Sequence, residues 1–238
     1  MKEQIVAIHQ PNFLPWLGYF NKIVKSDTFV FFDHVQYPKT GSSWGNRVKF
    51  LISKEERWFT VPIKKKMIGL SNCNEIEFDD SKPWRRKLKN ILKMNYGRCS
   101  YFKEVMELIE NILDQETNNL TKFNIKTITM LLEHMDIKNT NLIKSSDLSL
   151  SSNSTQLLVD VVKAVGGNSY FAGGGAKGYQ QDELFKEQEV KLLYQNYENP
   201  SYKQNNNEFT SGLSIIDALM NVGKTEVRSL LFNSEEND

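Results

Sequence analysis

The chain has 238 residues, 39% hydrophobic and 25% charged, and its 30 Lys+Arg against 29 Asp+Glu leave a formal charge of +1. That length suffices for one large domain that buries its core without disulfides or a structural metal, and the charge balance argues against a dedicated nucleic-acid binder, which usually carries a strongly basic domain. The 14 Phe, 9 Tyr and 4 Trp are more rings than an ordinary core needs in a chain of mean hydropathy -0.49.

Ile5 to Ile8 reads as a short buried strand ended by His9-Gln10-Pro11-Asn12, and Pro15 opens a helix through Trp16, Tyr19, Phe20 and Ile23, since proline suits a first helical turn. Thr28 to Phe32 is a continuous apolar run, the pattern of a strand covered on both faces. Arg47 to Ile52 and Arg57 to Ile63 form a strand pair around the charged turn Ser53-Lys54-Glu55-Glu56. Helical spacing then recurs over Pro83 to Tyr96, Tyr101 to Leu113 and Leu120 to Met135. Strands return at Leu142-Ile143, Ser169-Tyr170-Phe171 and Val190 to Tyr194. They alternate with helices over Thr155 to Val165, Tyr179 to Lys186 and Leu213 to Val222, the last closed by Gly223 at its C-terminal cap. The pattern predicts a single α/β domain over 1–238, a layered and largely parallel sheet with a helical insertion at about 83–135.

Cys73 and Cys99 are too few for a disulfide framework and lack metal-ligand spacing, which fits a reducing cytoplasm. The N-terminal apolar run is too short for a signal peptide, and no window of about 18 apolar residues predicts a membrane span.

The stretch from His9 to Lys22 holds the densest chemistry. It begins where a first strand ends, and open α/β sheets bind ligands at the carboxyl ends of their strands. Two prolines stiffen the turn; His9, Gln10 and Asn12 offer hydrogen-bonding groups, Trp16 and Tyr19 flat faces, and Lys22 a charge. Phe13, Pro15 and Gly18 echo the nucleotidyltransferase signature Phe-x-Pro-x-His-x-Gly-His, but the spacing is one residue short and both histidines are missing. A second cluster, Asp33, His34 and Gln36, follows the next strand. A carboxylate beside an imidazole fixes its tautomer and raises its basicity, so Asp33 with His34 is a possible general base and a solvated surface turn is the alternative. Trp44, Asn46 and Arg47 come next, Arg47 able to clamp a phosphate or carboxylate bidentately or to form an ordinary salt bridge. Gly173 to Gly178 formally contains G-x-G-x-x-G through Gly173, Gly175 and Gly178. No acidic residue ends the next strand as a dinucleotide fold requires; what remains is a loop whose backbone N–H groups can hold an anion, or a plain turn. The basic run Lys64-Lys65-Lys66 and the helix bearing Arg85, Arg86, Lys87, Lys89 and Lys93 read as a solvated face, with attraction of an anionic substrate the alternative, and His134 reads as structural.

The chain resembles the WbqC-like proteins, encoded in bacterial polysaccharide and glycan gene clusters. The matching stretches are His9-Gln10-Pro11-Asn12 through Pro15-Trp16-Leu17-Gly18-Tyr19-Phe20, Asp33-His34-Val35-Gln36-Tyr37, Trp44-Gly45-Asn46-Arg47 and Trp58-Phe59-Thr60-Val61-Pro62. Further on come Trp84-Arg85-Arg86-Lys87, Tyr170-Phe171-Ala172-Gly173, Asn199-Pro200-Ser201-Tyr202-Lys203-Gln204 and Leu213-Ser214-Ile215-Ile216-Asp217. The chain departs from the family pattern at Leu88, where a His is frequent, and at Ala172, where a Ser is frequent.

The resemblance implies a cytoplasmic role in making or decorating an activated sugar for surface glycans. The reaction it suggests is transfer of an acyl or aminoacyl group to the nitrogen of a nucleotide-linked amino sugar, the rival being a non-catalytic sugar-nucleotide binder or accessory protein. No bound cofactor is expected; the donor would be an acyl thioester on CoA or a carrier protein, or another activated acyl group. In this reading His9, Asp33 and His34 are the catalytic candidates. Gln10, Asn12, Trp16, Tyr19, Lys22, Gln36, Trp44, Asn46, Arg47, Gly173, Gly175 and Asp217 are the substrate-binding ones.

Overall fold

A computed structural model describes residues 2–40, 43–176, 181–206 and 208–232. Its centre is a five-stranded, wholly parallel sheet of β1 (Ile5–His9), β2 (Thr28–Phe31), β5 (Asn141–Lys144), β6 (Ser169–Ala172) and β7 (Lys191–Tyr194), in the order β5-β2-β1-β6-β7. The intervening β3 (Arg47–Ile52) and β4 (Glu55–Thr60) form a separate antiparallel hairpin. The fold is therefore a layered α/β structure with a parallel main sheet.

Alternation along the strands divides the core in two, because successive side chains point to opposite faces. Ala7, Phe29, Phe31 and Phe171 face one side, packing with α1 (Leu17–Val24) and α7 (Ile215–Phe232). Val6, Ile8, Val30, Tyr170 and Ala172 face the other, under α5 (Ser154–Ala164) and α6 (Asp182–Glu187). Each fully buried Phe or Ile contributes about 1.5–3 kcal/mol, so β2, buried on both faces, is committed to the sheet interior. The helices α2 (Trp84–Tyr96), α3 (Phe102–Leu113) and α4 (Leu120–His134) extend the first core, with Trp84, Phe78 and Phe123 meeting edge-on or tilted.

Most element boundaries shift by a residue or two from the sequence reading, and the second hairpin strand spans Glu55–Thr60 and stops short of Ile63. The hairpin turn is Ser53-Lys54 alone, both at positive φ (55° and 64°). Glu55 and Glu56 belong to β4, because their charges lie on a solvent-facing strand where Glu56 pairs with Lys49 at 2.7 Å. Gly223 does break the last helix, at φ 79° and ψ 169°, but helix resumes beyond it to Phe232 because Val227 and Leu231 still find the core. The helix expected from Tyr179 begins outside the described residues, where Gly178 also lies; within them α6 spans Asp182–Glu187.

The chain runs outward from β1 to β2 and β5, then returns to β6 on the opposite side of β1 and continues to β7. The strand order thus reverses between β1 and β6, and in such sheets the crevice at the carboxyl ends of those two strands is where ligands bind. Among the described residues no helix is long and apolar enough to cross a membrane.

Candidate functional site

The turn after β1 is held under tension. Leu14 is buried at φ 42°, a left-handed conformation unusual for a bulky residue. Its carbonyl accepts a 2.8 Å bond from Ser214 Oγ, and the Pro15 carbonyl another of 2.8 Å from the Ile215 N–H. The start of α7 therefore clamps the turn and sets where α1 begins. From α1, Tyr19 and Lys22, three residues apart and so on one helical face, both reach the end of β1.

They meet there in a crevice of about 470 Å³ at the point where the strand order reverses. His9 forms its base, with its ring edge-on to Tyr19 (4.9 Å between centroids) and to Trp16 (6.1 Å). The Nδ1 atom lies 3.0 Å from the Gln10 carbonyl oxygen. That oxygen only accepts, so Nδ1 carries the proton and Nε2 keeps its lone pair. Burial, reinforced by the neighbouring Lys22 charge and opposed by the Gln10 bond, brings the imidazole down to about 4. His9 is therefore neutral at physiological pH.

Lys22 is 2% exposed, and its Nζ donates a 2.8 Å hydrogen bond to the Ile8 carbonyl. Burial lowers the ammonium to about 7, and among the described residues no carboxylate pairs with it. A buried ammonium without a counter-ion is costly to keep. Opposite it runs the start of the glycine loop: a Cβ built on Gly173 would stand 4.0 Å from Lys22 Nζ, and Gly174 and Gly175 continue the wall. The arrangement sets one buried amino group, charged below about pH 7, facing backbone that carries no side chains.

The aromatic wall is built by contact. Trp16 lies 4.8 Å from Trp44, which in turn lies 4.9 Å from Trp58. Tyr197, with its hydroxyl buried and unpartnered, closes the far side against Gly18. Only glycine fits at that position, since a Cβ there would lie 2.7 Å from Trp16 Nε1 and 2.8 Å from the Tyr197 ring.

Of the residues singled out in the sequence, His9, Trp16, Tyr19, Lys22, Trp44, Gly173 and Gly175 come together here. Gln10 takes part through its carbonyl, which also accepts from Tyr19 Oη at 3.1 Å, while the Asn12 side chain is buried beneath with its Nδ2 unpartnered. Asp33 and His34 do not line the crevice and do not form an Asp–His pair. The Asp33 carboxylate, 2% exposed, accepts from Ser145 Oγ, Ser146 N and Ser146 Oγ at 2.8–3.1 Å, holding the turn after β5. His34 Nδ1 lies 2.6 Å from the same Ser145 Oγ. Gln36 donates to the Gly69 carbonyl (2.8 Å) on an exposed loop. Asn46 is buried, joining Tyr37, the Ser43 N–H and the Val61 carbonyl. Arg47 stacks its guanidinium 4.3 Å over Trp58 on the hairpin, in place of clamping an anion in the crevice. Asp217 lies elsewhere, at the floor of a second cavity. Sequence reasoning missed Gln195 and Tyr197. They follow β7, and the signal was available: in a parallel sheet the residues after every strand emerge at the same edge.

A family model described as the WbqC-like protein family matches residues 10–229. An uncharacterized protein of Mycobacterium tuberculosis is 30% identical over 220 residues, covering 92% of this chain and 94% of that one. The chain belongs to the WbqC-like protein family. No solved structure matches it significantly. The match takes in the clamped turn, the helix α1 with Tyr19 and Lys22, the glycine loop and the start of α7, and begins one residue after His9. Of the two departures from the family pattern, Leu88 is a core residue of α2 and Ala172 ends β6 directly before the glycine loop.

The His9 environment sets a pH dependence. Its folded value of about 4 lies below the 6.5 of a free imidazole, so the unfolded chain binds the extra proton between those values. Stability is complete above pH 6.5 and falls as the pH drops towards 4, by about 3 kcal/mol for this group. The His9→Gln variant is expected to lose less stability than the parent over that window, measured by urea unfolding at each pH; parallel curves would contradict it.

Proposed function

We propose that this protein is a cytoplasmic transferase of surface-glycan precursor synthesis that places an acyl or aminoacyl group on the nitrogen of a nucleotide-linked amino sugar. The observation that carries the reading is Lys22, a buried ammonium without a carboxylate partner that faces a glycine loop at the strand-order reversal. A sugar nucleotide supplies the negative charge this site lacks through its diphosphate, and a flat base suited to the Trp16–Trp44 wall. Family membership supports the glycan context.

In this reading the amino group attacks the acyl carbon of a thioester. A C–N bond forms, the C–S bond breaks and the thiolate leaves. The nitrogen becomes acidic as it bonds to carbon, and the lone pair on His9 Nε2 takes its proton. In this reading the Tyr197 hydroxyl, buried and unpartnered at the crevice wall, turns to donate to the oxyanion.

A second reading, a sugar-nucleotide binder without turnover, is favoured by the low basicity of His9 and by the absence of Asp33 and His34 from the crevice. Incubating the protein with a UDP-linked amino sugar and acetyl-CoA separates the two. A gain of one acetyl group on the sugar nucleotide by mass spectrometry, lost in His9→Ala, is the expected result. Thermal stabilisation by the sugar nucleotide with no mass change across thioester donors would leave only the binder. No stabilisation at all would remove both.

A further inference from the structure

The molecule has a second cavity, also of about 470 Å³, that the proposed reaction does not use. It lies between the β3–β4 turn, the C-terminal end of α2 and the start of α7. Three cations stand around it: Lys54 on the turn, and Lys93 and Arg98 at the end of α2. Lys93 reaches Glu110 at a distant 3.7 Å, and among the described residues neither Lys54 nor Arg98 pairs with a carboxylate. Cations converging on one concavity raise the local concentration of anions well beyond what isolated surface charges do.

The cavity is built, and the placement of Lys54 is the main sign of it. Ser53 and Lys54 are consecutive non-glycine residues at positive φ, where Asn-Gly would adopt the turn at lower cost. The turn is fastened to α2 by a 2.8 Å bond from the Ser53 N–H to Asn95 Oδ1. The strained tip therefore presents a lysine at a fixed place beside Arg98. Beneath lies Asp217, 0% exposed, whose carboxylate is occupied by Tyr96, Tyr202, Gln204 and Asn221. Those bonds take up the one acidic group of the lining, so it serves as a rigid floor. The Asn95 and Asn221 amides are bonded to Ser53, Ile91, Asp217 and Cys99, which leaves Asn205 to add its side-chain amide to the wall, a group that both donates to and accepts from hydroxyls.

We propose that this cavity is a binding site for a phosphate ester of a polyhydroxy compound, with Lys54 and Arg98 on the phosphate and the Asn205 amide on a hydroxyl. It is independent of the crevice at the strand-order reversal, and neither proposal needs the other.

The test is titration of the isotope-labelled protein with glucose 6-phosphate, and separately with inorganic phosphate, followed by amide NMR. Saturable shifts are expected at residues 53–54 and 95–98, with glucose 6-phosphate binding more tightly than inorganic phosphate. The double variant Lys54→Asn, Arg98→Gln should weaken binding by about tenfold or more; both residues are exposed, and asparagine tolerates the positive φ at position 54. The crevice variant Lys22→Met should leave these shifts unchanged. Absence of saturable shifts, undiminished binding by the double variant, or loss of the shifts in Lys22→Met would overturn the proposal. Equal affinity for the two probes would overturn the assignment of the hydroxyl-binding half.

Discussion

Replacing Lys22 with methionine is expected to make the protein more stable and to abolish binding of a sugar nucleotide. The side chain is buried, bonded to one carbonyl and without a carboxylate partner among the described residues. Its folded value near 7 against 10.5 for a free lysine corresponds to about 5 kcal/mol opposing the charged folded state. Methionine has a similar shape and no charge, and loss of the bond to Ile8 offsets part of the gain, so a net increase on the order of 2–4 kcal/mol is expected at pH 7. The sign with pH is specific. Below pH 7 the lysine is charged in both states and the full cost applies. Between 7 and 10.5 the folded protein loses the proton and the unfolded chain keeps it, so parent stability climbs with pH. The advantage of Lys22→Met should therefore be largest at or below neutrality and shrink towards pH 10, as read by chemical unfolding across that range. A variant less stable than the parent at pH 6 would show that the ammonium is not an uncompensated charge.

Gly223→Ala is expected to destabilise the chain strongly. The residue has φ 79°, and a Cβ there would lie 2.6 Å from two ring atoms of Tyr101. Tyr101 is tied to the same place by a 3.1 Å bond from its N–H to the Met220 carbonyl, so its backbone stays and the exposed ring must turn away from its packing on α7. Strain and overlap together should cost about 2–4 kcal/mol, seen as a lower urea midpoint with an unchanged slope. Combining it with Tyr101→Ala removes the overlap and leaves the backbone strain. The double variant should thus lose less than the sum of the two single ones; strict additivity would mean that the ring is not what the methyl meets.

Much of this architecture could be read from the residues. β1 and β2 announced themselves because strands covered on both faces must be continuously apolar, and the sheet edge that carries the crevice followed from where His9 sits. Lys22 was recognisable as a charge near that edge; its burial was not, because nothing local says that α1 packs its polar residue inward. That depends on α7, nearly two hundred residues away, whose Ser214 and Ile215 fix the turn. Asp33 and His34 were misleading for a related reason. An Asp-His pair after a strand has the composition of a catalytic base, but Ser145 and Ser146 arrive from β5 and take the carboxylate. Arg47 likewise found a tryptophan ring on the next strand, a partner visible only once the hairpin register is known.

The position of β1 has a consequence for how the molecule is made. Ile5 pairs with Ser169, 164 positions later in the chain, and the crevice exists only between the strands that hold those two residues. At about 5–20 residues per second of synthesis, the first strand waits on the order of ten seconds for the neighbour that completes it. Through that time β2 can shield one edge of β1, leaving the other open to pairing with whatever strand is at hand. A nascent chain stopped within the helical segment would carry His9 and Lys22 and have no binding site. Ligand binding should therefore appear late and abruptly during translation, which makes it a reporter of completed chains.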